Sequence, residues 1–249
     1  MIFRTHYLTK NDCYAAAAPL TPTGIVVHST GVDQKRIAAY RWQFDRPGQR
    51  SAVHGIIGLD EDGALCCEQW LPYSIQCWGC GSGPKGSFNH SHIQFEIAEM
   101  LGDGAWCRET CAAALELCAR LCREYGIDPE NVVCHSEAHA LGYGSNHGDV
   151  MHWWPMYGLS MEQFRKELKE RMDYAEFERF MERWEQERAA QPEPDWSKAE
   201  GAWERAKKAG VLDGSRPEAP VKRDELAAVL ARMGLLNAPE GETKKEENA

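Results

Sequence analysis

Asn131-Val-Val-Cys-His135-Ser-Glu-Ala-His139-Ala-Leu-Gly-Tyr-Gly-Ser-Asn-His147-Gly-Asp149-Val-Met-His152-Trp-Trp-Pro155 carries four of the chain's nine histidines, beside a carboxylate and two tryptophans. The apolar run Val132 to Cys134 stops on His135, and a loop punctuated by Gly142, Gly144 and Gly148 follows. Neutral imidazole and carboxylate oxygen are both ordinary ligands for zinc. A catalytic zinc takes three protein ligands and keeps a fourth position for water. Whatever this stretch lacks must therefore come from elsewhere in the chain.

Working outward, Gly24-Ile-Val-Val-His28 reads as the first strand, and it too stops on a histidine. Residues 1–23 are mixed, with a small Ala15–Ala18 run and with Pro19 and Pro22 marking a loop. Asp33 is placed to cap a helix running to Phe44, with Ile37, Ala38 and Tyr40 inside. Val53–Gly58 and Ala64–Trp70 form a hairpin around the turn at Asp60–Gly63. His92–Ala98 alternates as a strand does, which sets Glu96 on one face with Gln94 and Ala98. Ala105–Tyr125 is a periodic helix ended by Gly126 and Pro129, and it leads into the strand Asn131–Cys134. This order predicts an α/β fold, a central mixed β-sheet flanked by helices.

A charged helix is expected from Ser160 to about Ala190, with a narrow stripe of Phe164, Leu168, Met172, Ala175 and Phe180. Its first half would pack on the domain and its second extend into solvent. Gln191-Pro-Glu-Pro194 reads as a stiff linker. Trp196–Leu236 has the pattern of two short helices around Gly210–Gly214 and Pro217–Pro220, and Pro239–Ala249 is polar and expected to be disordered. The organisation predicted is a catalytic domain over 1–158, a charged helical spacer over 159–191, a small helical C-terminal module over 192–237 and a tail over 238–249.

Composition bounds the partners. A net charge of -10 and the lack of any long basic block argue against nucleic acid. No signal peptide or apolar span is found, so the expectation is synthesis in the cytoplasm, no membrane insertion and release by another protein for work outside. All ten cysteines fall between Cys13 and Cys134 and are expected to be reduced. Cys107, Cys111, Cys118 and Cys122 would share one buried helix face. Cys77-Trp-Gly-Cys80 is by itself weak evidence for a redox or metal site. The glycine-rich run 79–87 neither links a strand to a helix nor ends in Gly-Lys-Ser/Thr, so a phosphate-binding loop is rejected.

If the two histidine-ended strands are neighbours, His28 and His135 point from one sheet edge toward one spot. Asp149 can then complete a zinc site of two imidazoles and a carboxylate. Glu96, a carboxylate inside an apolar strand, is the best-placed general base. His147 could supply the donor for a developing oxyanion. A rival site, His135 with His139, has helical i, i+4 spacing. Its glutamate is one place late for the His-Glu-x-x-His motif, however, and glycines interrupt soon after. His139 and His152 are read as loop residues outside the metal shell, and Trp153-Trp154-Pro155 as a packing plug.

Taken in order, these residues resemble a family. Val26-Val-His28-Ser-Thr is similar to the first zinc motif of the peptidoglycan amidases related to bacteriophage T7 lysozyme and to peptidoglycan recognition proteins. Cys134-His135-Ser-Glu is similar to their second histidine motif, and His147-Gly-Asp149 to the Lys-x-Asp or Lys-x-Cys unit that ends their signature. Phe95-Glu96-Ile97 matches the strand bearing the catalytic glutamate of the AmpD-like branch. Trp78-Gly-Cys-Gly81 resembles their groove-lining Trp-His-Ala-Gly segment. The resemblance covers about residues 20–157. It implies zinc held by His28, His135 and Asp149, with Glu96 and His147 catalytic and Trp78 and Asn146 in contact with substrate. The reaction implied is cleavage of the amide between N-acetylmuramic acid and L-alanine in peptidoglycan.

Two departures stand out. His147 occupies the lysine position, so activity is expected to fall on the alkaline side as its charge is lost. The tyrosine that phage-type members carry before the histidine of the second strand is Val53. Trp196-Ser-Lys-Ala, Ala209–Pro217 and Pro220–Leu226 together resemble one S-layer-homology-like repeat, which implies a cell-wall polymer as partner. Domain, spacer and wall-directed tail resemble a prophage endolysin released through a holin. Two other readings are a binding module of the same fold that does not cut, and a zinc peptidase acting within the stem peptide.

Overall fold

The computed structural model describes residues 1–193, 195–211 and 223–233. Two compact units divide it at Tyr174/Ala175. In the first, the strands are β1 (Ile2–Thr5), β2 (Gly24–Asp33), β3 (Gly55–Leu59), β4 (Leu65–Gln69), β5 (His92–Glu99) and β6 (Val132–Cys134). The helices are α1 (Asp12–Ala16), α2 (Ala38–Phe44), α3 (Gly104–Tyr125), α4 (His135–Leu141) and α5 (Val150–Trp153), then α6 (Met161–Ala189), which continues past the division. The strands form one mixed sheet in the order β1-β4-β3-β5-β2-β6, in which only β3 and β4 run antiparallel to each other. The expected α/β sheet is therefore present. No helix among the described residues is long and apolar enough to cross a membrane.

The inner strands β2 and β5 and the edge strand β6 are covered on both faces, which is why they read as nearly unbroken apolar runs. On one face Ile25, Val27, Ile93, Phe95, Ile97, Val132 and Cys134 join the main core with the apolar side of α3. Asp103 caps α3 by accepting from the Trp106 amide at 2.9 Å, and Gly126 ends it at φ 66°, a left-handed turn that favours glycine. The α3 cysteines 107, 111, 118 and 122 are buried in that core, and all ten thiols are free.

Four local expectations need correction. The first strand is Ile2–Thr5, an exposed segment at the sheet edge whose residues carry no burial signal. β2 does not stop at His28 but runs on to Asp33, so Asp33 caps no helix and α2 starts only at Ala38, which is exposed. The segment after His135 is at first a helix rather than a loop. Glu137 Oε2 accepts from the Cys134 amide at 3.1 Å and caps it, and Gly142 ends it. Beyond residue 158 the first unit continues: Met161, Phe164 and Leu168 of α6 belong to the same core.

α6 lies within the range expected for the charged helix, and Trp153 and Trp154 are fully buried, as the packing plug requires. In the second unit α6 exposes Phe177, Phe180 and Trp184. Helices α7 (Asp195–Glu200), α8 (Ala202–Lys208) and α9 (Arg223–Arg232) follow. The expected first helix of this region is two, broken at Gly201, φ 62°. Residues 212–222, the middle of the S-layer-like repeat with the Pro217–Pro220 turn, and the tail lie outside the described residues.

Candidate active site

Parallel register assembles the site. Val27 of β2 faces Cys134 of β6, and His28 faces Glu96 of β5. His135, one residue past Cys134, therefore leaves the sheet level with His28. Alternation turns Ile25 and Val27 into the core and sends His28, Gln94 and Glu96 to the opposite face. There they meet the chain returning through His147 and Asp149. His28, Glu96, His147 and Asp149 line a cavity of about 430 Å³ with Ser29, Thr30, Phe44, Val53 and His152 among its other walls.

Three donor atoms converge at its base. His135 Nδ1 lies 3.2 Å from His28 Nδ1 and 2.7 Å from Asp149 Oδ2, and His28 Nδ1 lies 3.5 Å from the same oxygen. A tetrahedral ion with bonds of about 2.0–2.1 Å sets its ligand atoms roughly 3.3 Å apart. An outer hydrogen bond sets the His28 tautomer. His28 Nε2–H donates to Gln94 Oε1 at 3.0 Å, and that amide is oriented by its own donation to Asn89 Oδ1 at 2.9 Å. His135 Nε2 lies 3.2 Å from Ser145 Oγ. The His28 Nδ1 thus keeps its lone pair toward the shared point, which is the arrangement metal-ligating histidines adopt. Asp149 Oδ2 is buried without a directed hydrogen bond. A cation suits this donor set.

Electrostatics agree with the geometry. Burial works against charge on His28, yet Asp149 and Glu96 outweigh it and raise its pKa. Burial pushes the Asp149 carboxyl up, but its two imidazole neighbours more than offset that and hold it well below the usual carboxylate range. The spot therefore calls for positive charge. Asp149 also sits at φ 43°, ψ −131°, strained for a residue with a side chain. Strain of this kind costs about 1–3 kcal/mol and clusters at functional sites.

Glu96 stands beside the trio, outside the converging atoms. Its Oε2 is buried and unpartnered, and burial, opposed by His28 and assisted by Asp149, pushes the carboxyl up to about 7. A carboxyl tuned near neutrality can both take and return a proton. His147 lies on the exposed wall, its ring 4.7 Å from that of His135, with Nδ1 3.0 Å from Ser145 Oγ.

His28, Glu96, His135, His147 and Asp149 thus share one cavity. Trp78 and Asn146 do not line it: both are exposed, although their neighbours Gly79 and His147 do line it. His139 turns away, its Nδ1 3.2 Å from the Gly144 carbonyl, so the rival i, i+4 pair is not assembled. His152 stays outside the trio but lines the cavity, its Nε2 2.8 Å from buried Glu99, whose other oxygen accepts from Ser29 Oγ at 3.0 Å. The sequence reading missed the roles of Gln94, Ser145 and Glu99. Only Gln94 had a signal, its alternation with Glu96.

A family model described as N-acetylmuramoyl-L-alanine amidase matches residues 18–149, a range that holds all five of these residues. No curated protein matches the chain. Among solved structures, Staphylococcus aureus hydrolase AmiA, solved with its ligand, aligns at TM-score 0.55 and 21% identity, over 69% of this chain and 83% of that one. PlyL aligns at 0.54 and 19%, over 68% and 97%. The PlyG catalytic domain aligns at 0.52 and 21%, over 68% and 94%. At these identities the likeness speaks for the fold.

Proposed function

The chain belongs to the N-acetylmuramoyl-L-alanine amidase family, and from that membership we propose that its cavity is a zinc site hydrolysing the amide between N-acetylmuramic acid and L-alanine. The observation that carries the zinc reading is the convergence of His28 Nδ1, His135 Nδ1 and Asp149 Oδ2, with the His28 tautomer set by its outer hydrogen bond to Gln94. Bound there, zinc would supply Lewis acidity, making water more acidic and a carbonyl more electrophilic.

The residues divide the remaining work. Glu96 takes a proton from the attacking water onto its carboxylate and returns it to the leaving nitrogen. The carbon–nitrogen bond breaks, and the products are a free lactyl carboxylate and the L-alanine amine. His147 donates a hydrogen bond to the carbonyl oxygen as negative charge builds there. The cavity walls orient the muramyl peptide and keep bulk water out.

Metal analysis with product analysis tests this reading. The purified protein is expected to hold one zinc per chain, to lose lytic activity on exhaustive chelation and to regain it with zinc. New amines released from peptidoglycan should all be on L-alanine. Interior amines instead would make the enzyme a stem-peptide peptidase. Zinc retention without any cleavage, across several wall types, would make it a binding module.

The resemblance to prophage endolysins supports a role in lysis from within, with the C-terminal segment holding a wall polymer. Co-expression with a holin-type pore is expected to lyse the producing cell, whereas the enzyme expressed alone should not. Cells that survive both would rule that role out.

A further inference from the structure

Ser145 Oγ stands between the two histidines that bracket the site. It is 3.2 Å from His135 Nε2, 3.0 Å from His147 Nδ1 and 3.3 Å from the carbonyl oxygen of Cys80. A serine hydroxyl has one proton to give and two lone pairs to receive with. With His135 Nδ1 turned to the converging point, its proton resides on Nε2, and Ser145 Oγ accepts it. The serine's own proton then has two places to go. The Cys80 carbonyl already accepts from the Ser145 amide at 2.9 Å, and it is the more distant of the two.

We propose that Ser145 relays a directed hydrogen bond from His135 to His147, His135 Nε2–H to Ser145 Oγ–H to His147 Nδ1, so that His147 presents Nε2–H to the cavity. Ser145 is then a positioning residue for both histidines. The donor offered to the substrate carbonyl needs no charge, unlike the lysine that the resemblance sets at this position, so the alkaline loss of activity expected from the sequence does not follow from His147. This inference rests on the zinc reading, because ligation through His135 Nδ1 gives the relay its direction.

The surrounding backbone supports that role and accounts for the glycine-rich run 79–87. A Cβ at Gly81, φ 65°, would lie 2.5 Å from Ser145 Oγ, and one at Gly144 would lie 2.9 Å from Cys80 Sγ. Glycine at both points lets the two loops lie against each other. Lys85 N donates to Gly142 O at 2.9 Å and Phe88 N to Tyr143 O at 3.0 Å, completing the seam. The run that resembled a phosphate loop in composition is a bed for the turn carrying Ser145 and His147.

Long-range ¹⁵N–¹H correlation of the zinc-loaded protein, labelled in histidine, reads the tautomers directly. The expected result is a single Nε2–H tautomer for both His135 and His147. In Ser145→Ala, His147 should become a mixture of tautomers. Zinc affinity, measured by chelator competition, should fall about 10–100-fold, as it does when outer-shell partners are removed. An Nδ1–H form of His147 in the wild type, or an unchanged His147 pattern in Ser145→Ala, overturns the relay and leaves the zinc reading standing. A wild type that binds no zinc takes down both. The wild-type spectrum decides the direction of the relay even if the variant folds poorly.

Discussion

Replacing Glu96 with glutamine is expected to lower kcat on soluble muramyl peptide by about 10²–10⁴-fold, the usual contribution of a positioned general acid–base group. That loss corresponds to roughly 3–5 kcal/mol of transition-state stabilisation. Zinc content should not change, because Glu96 stands outside the three converging atoms. Nor should the fold, since glutamine has the same shape and the buried Oε2 it replaces has no hydrogen-bond partner to lose. The informative pattern is therefore full metal, native melting and almost no turnover, with KM little altered. Retention of more than a tenth of wild-type kcat would remove Glu96 from proton transfer. Loss of zinc would mean that Glu96 belongs to the metal shell and that Asp149 has been given its role in error.

The ease with which Glu96 was found contrasts with what remained hidden, and the difference is physical. A carboxylate in a strand buried on both faces conflicts with its surroundings, and such conflict can be read without coordinates. The two histidines were found for a related reason: each interrupts an apolar run, and adjacent parallel strands bring such interruptions to the same level. α3 showed a strong helical period and α6 a narrow apolar stripe. β1 was missed because an exposed edge strand of four residues has no buried face to impose a pattern. The extension of β2 was missed because Ser29-Thr30-Gly31 has turn composition, yet Ser29 pairs in register with Ile97. α4 was masked by the glycines that end it. Glu99 acts through partners distant in sequence, Ser29 and His152, and Ser145, two residues from His147, also meets His135 across the turn that follows α4. Spacing along the chain holds no trace of those meetings.

A fragment ending at residue 158 is expected to lose its cooperative fold, whereas one ending at residue 190 should keep fold and zinc. The shorter cut removes Met161, Phe164 and Leu168, each no more than 3% exposed. Burying such a side chain is worth about 1.5–3 kcal/mol, and a domain's whole stability is only about 5–15 kcal/mol. Phe164 packs on Trp154 with ring centroids 5.3 Å apart, so its removal uncovers the plug beneath the site. The cut also removes Arg165, which holds both Glu137 oxygens at 2.9 Å and donates to the Val132 carbonyl at 3.0 Å. Those contacts clamp the segment from Val132 to Glu137, and His135 lies within it. Chemical denaturation followed by circular dichroism, with zinc stoichiometry on the same samples, decides the matter. A 1–158 fragment that melts cooperatively with wild-type zinc would mean that the catalytic unit ends before α6. The 1–190 fragment separates a second question: it should hydrolyse soluble muramyl peptide at the full-length rate but sediment less with purified walls. Undiminished sedimentation would remove the wall-binding role from residues 192–237.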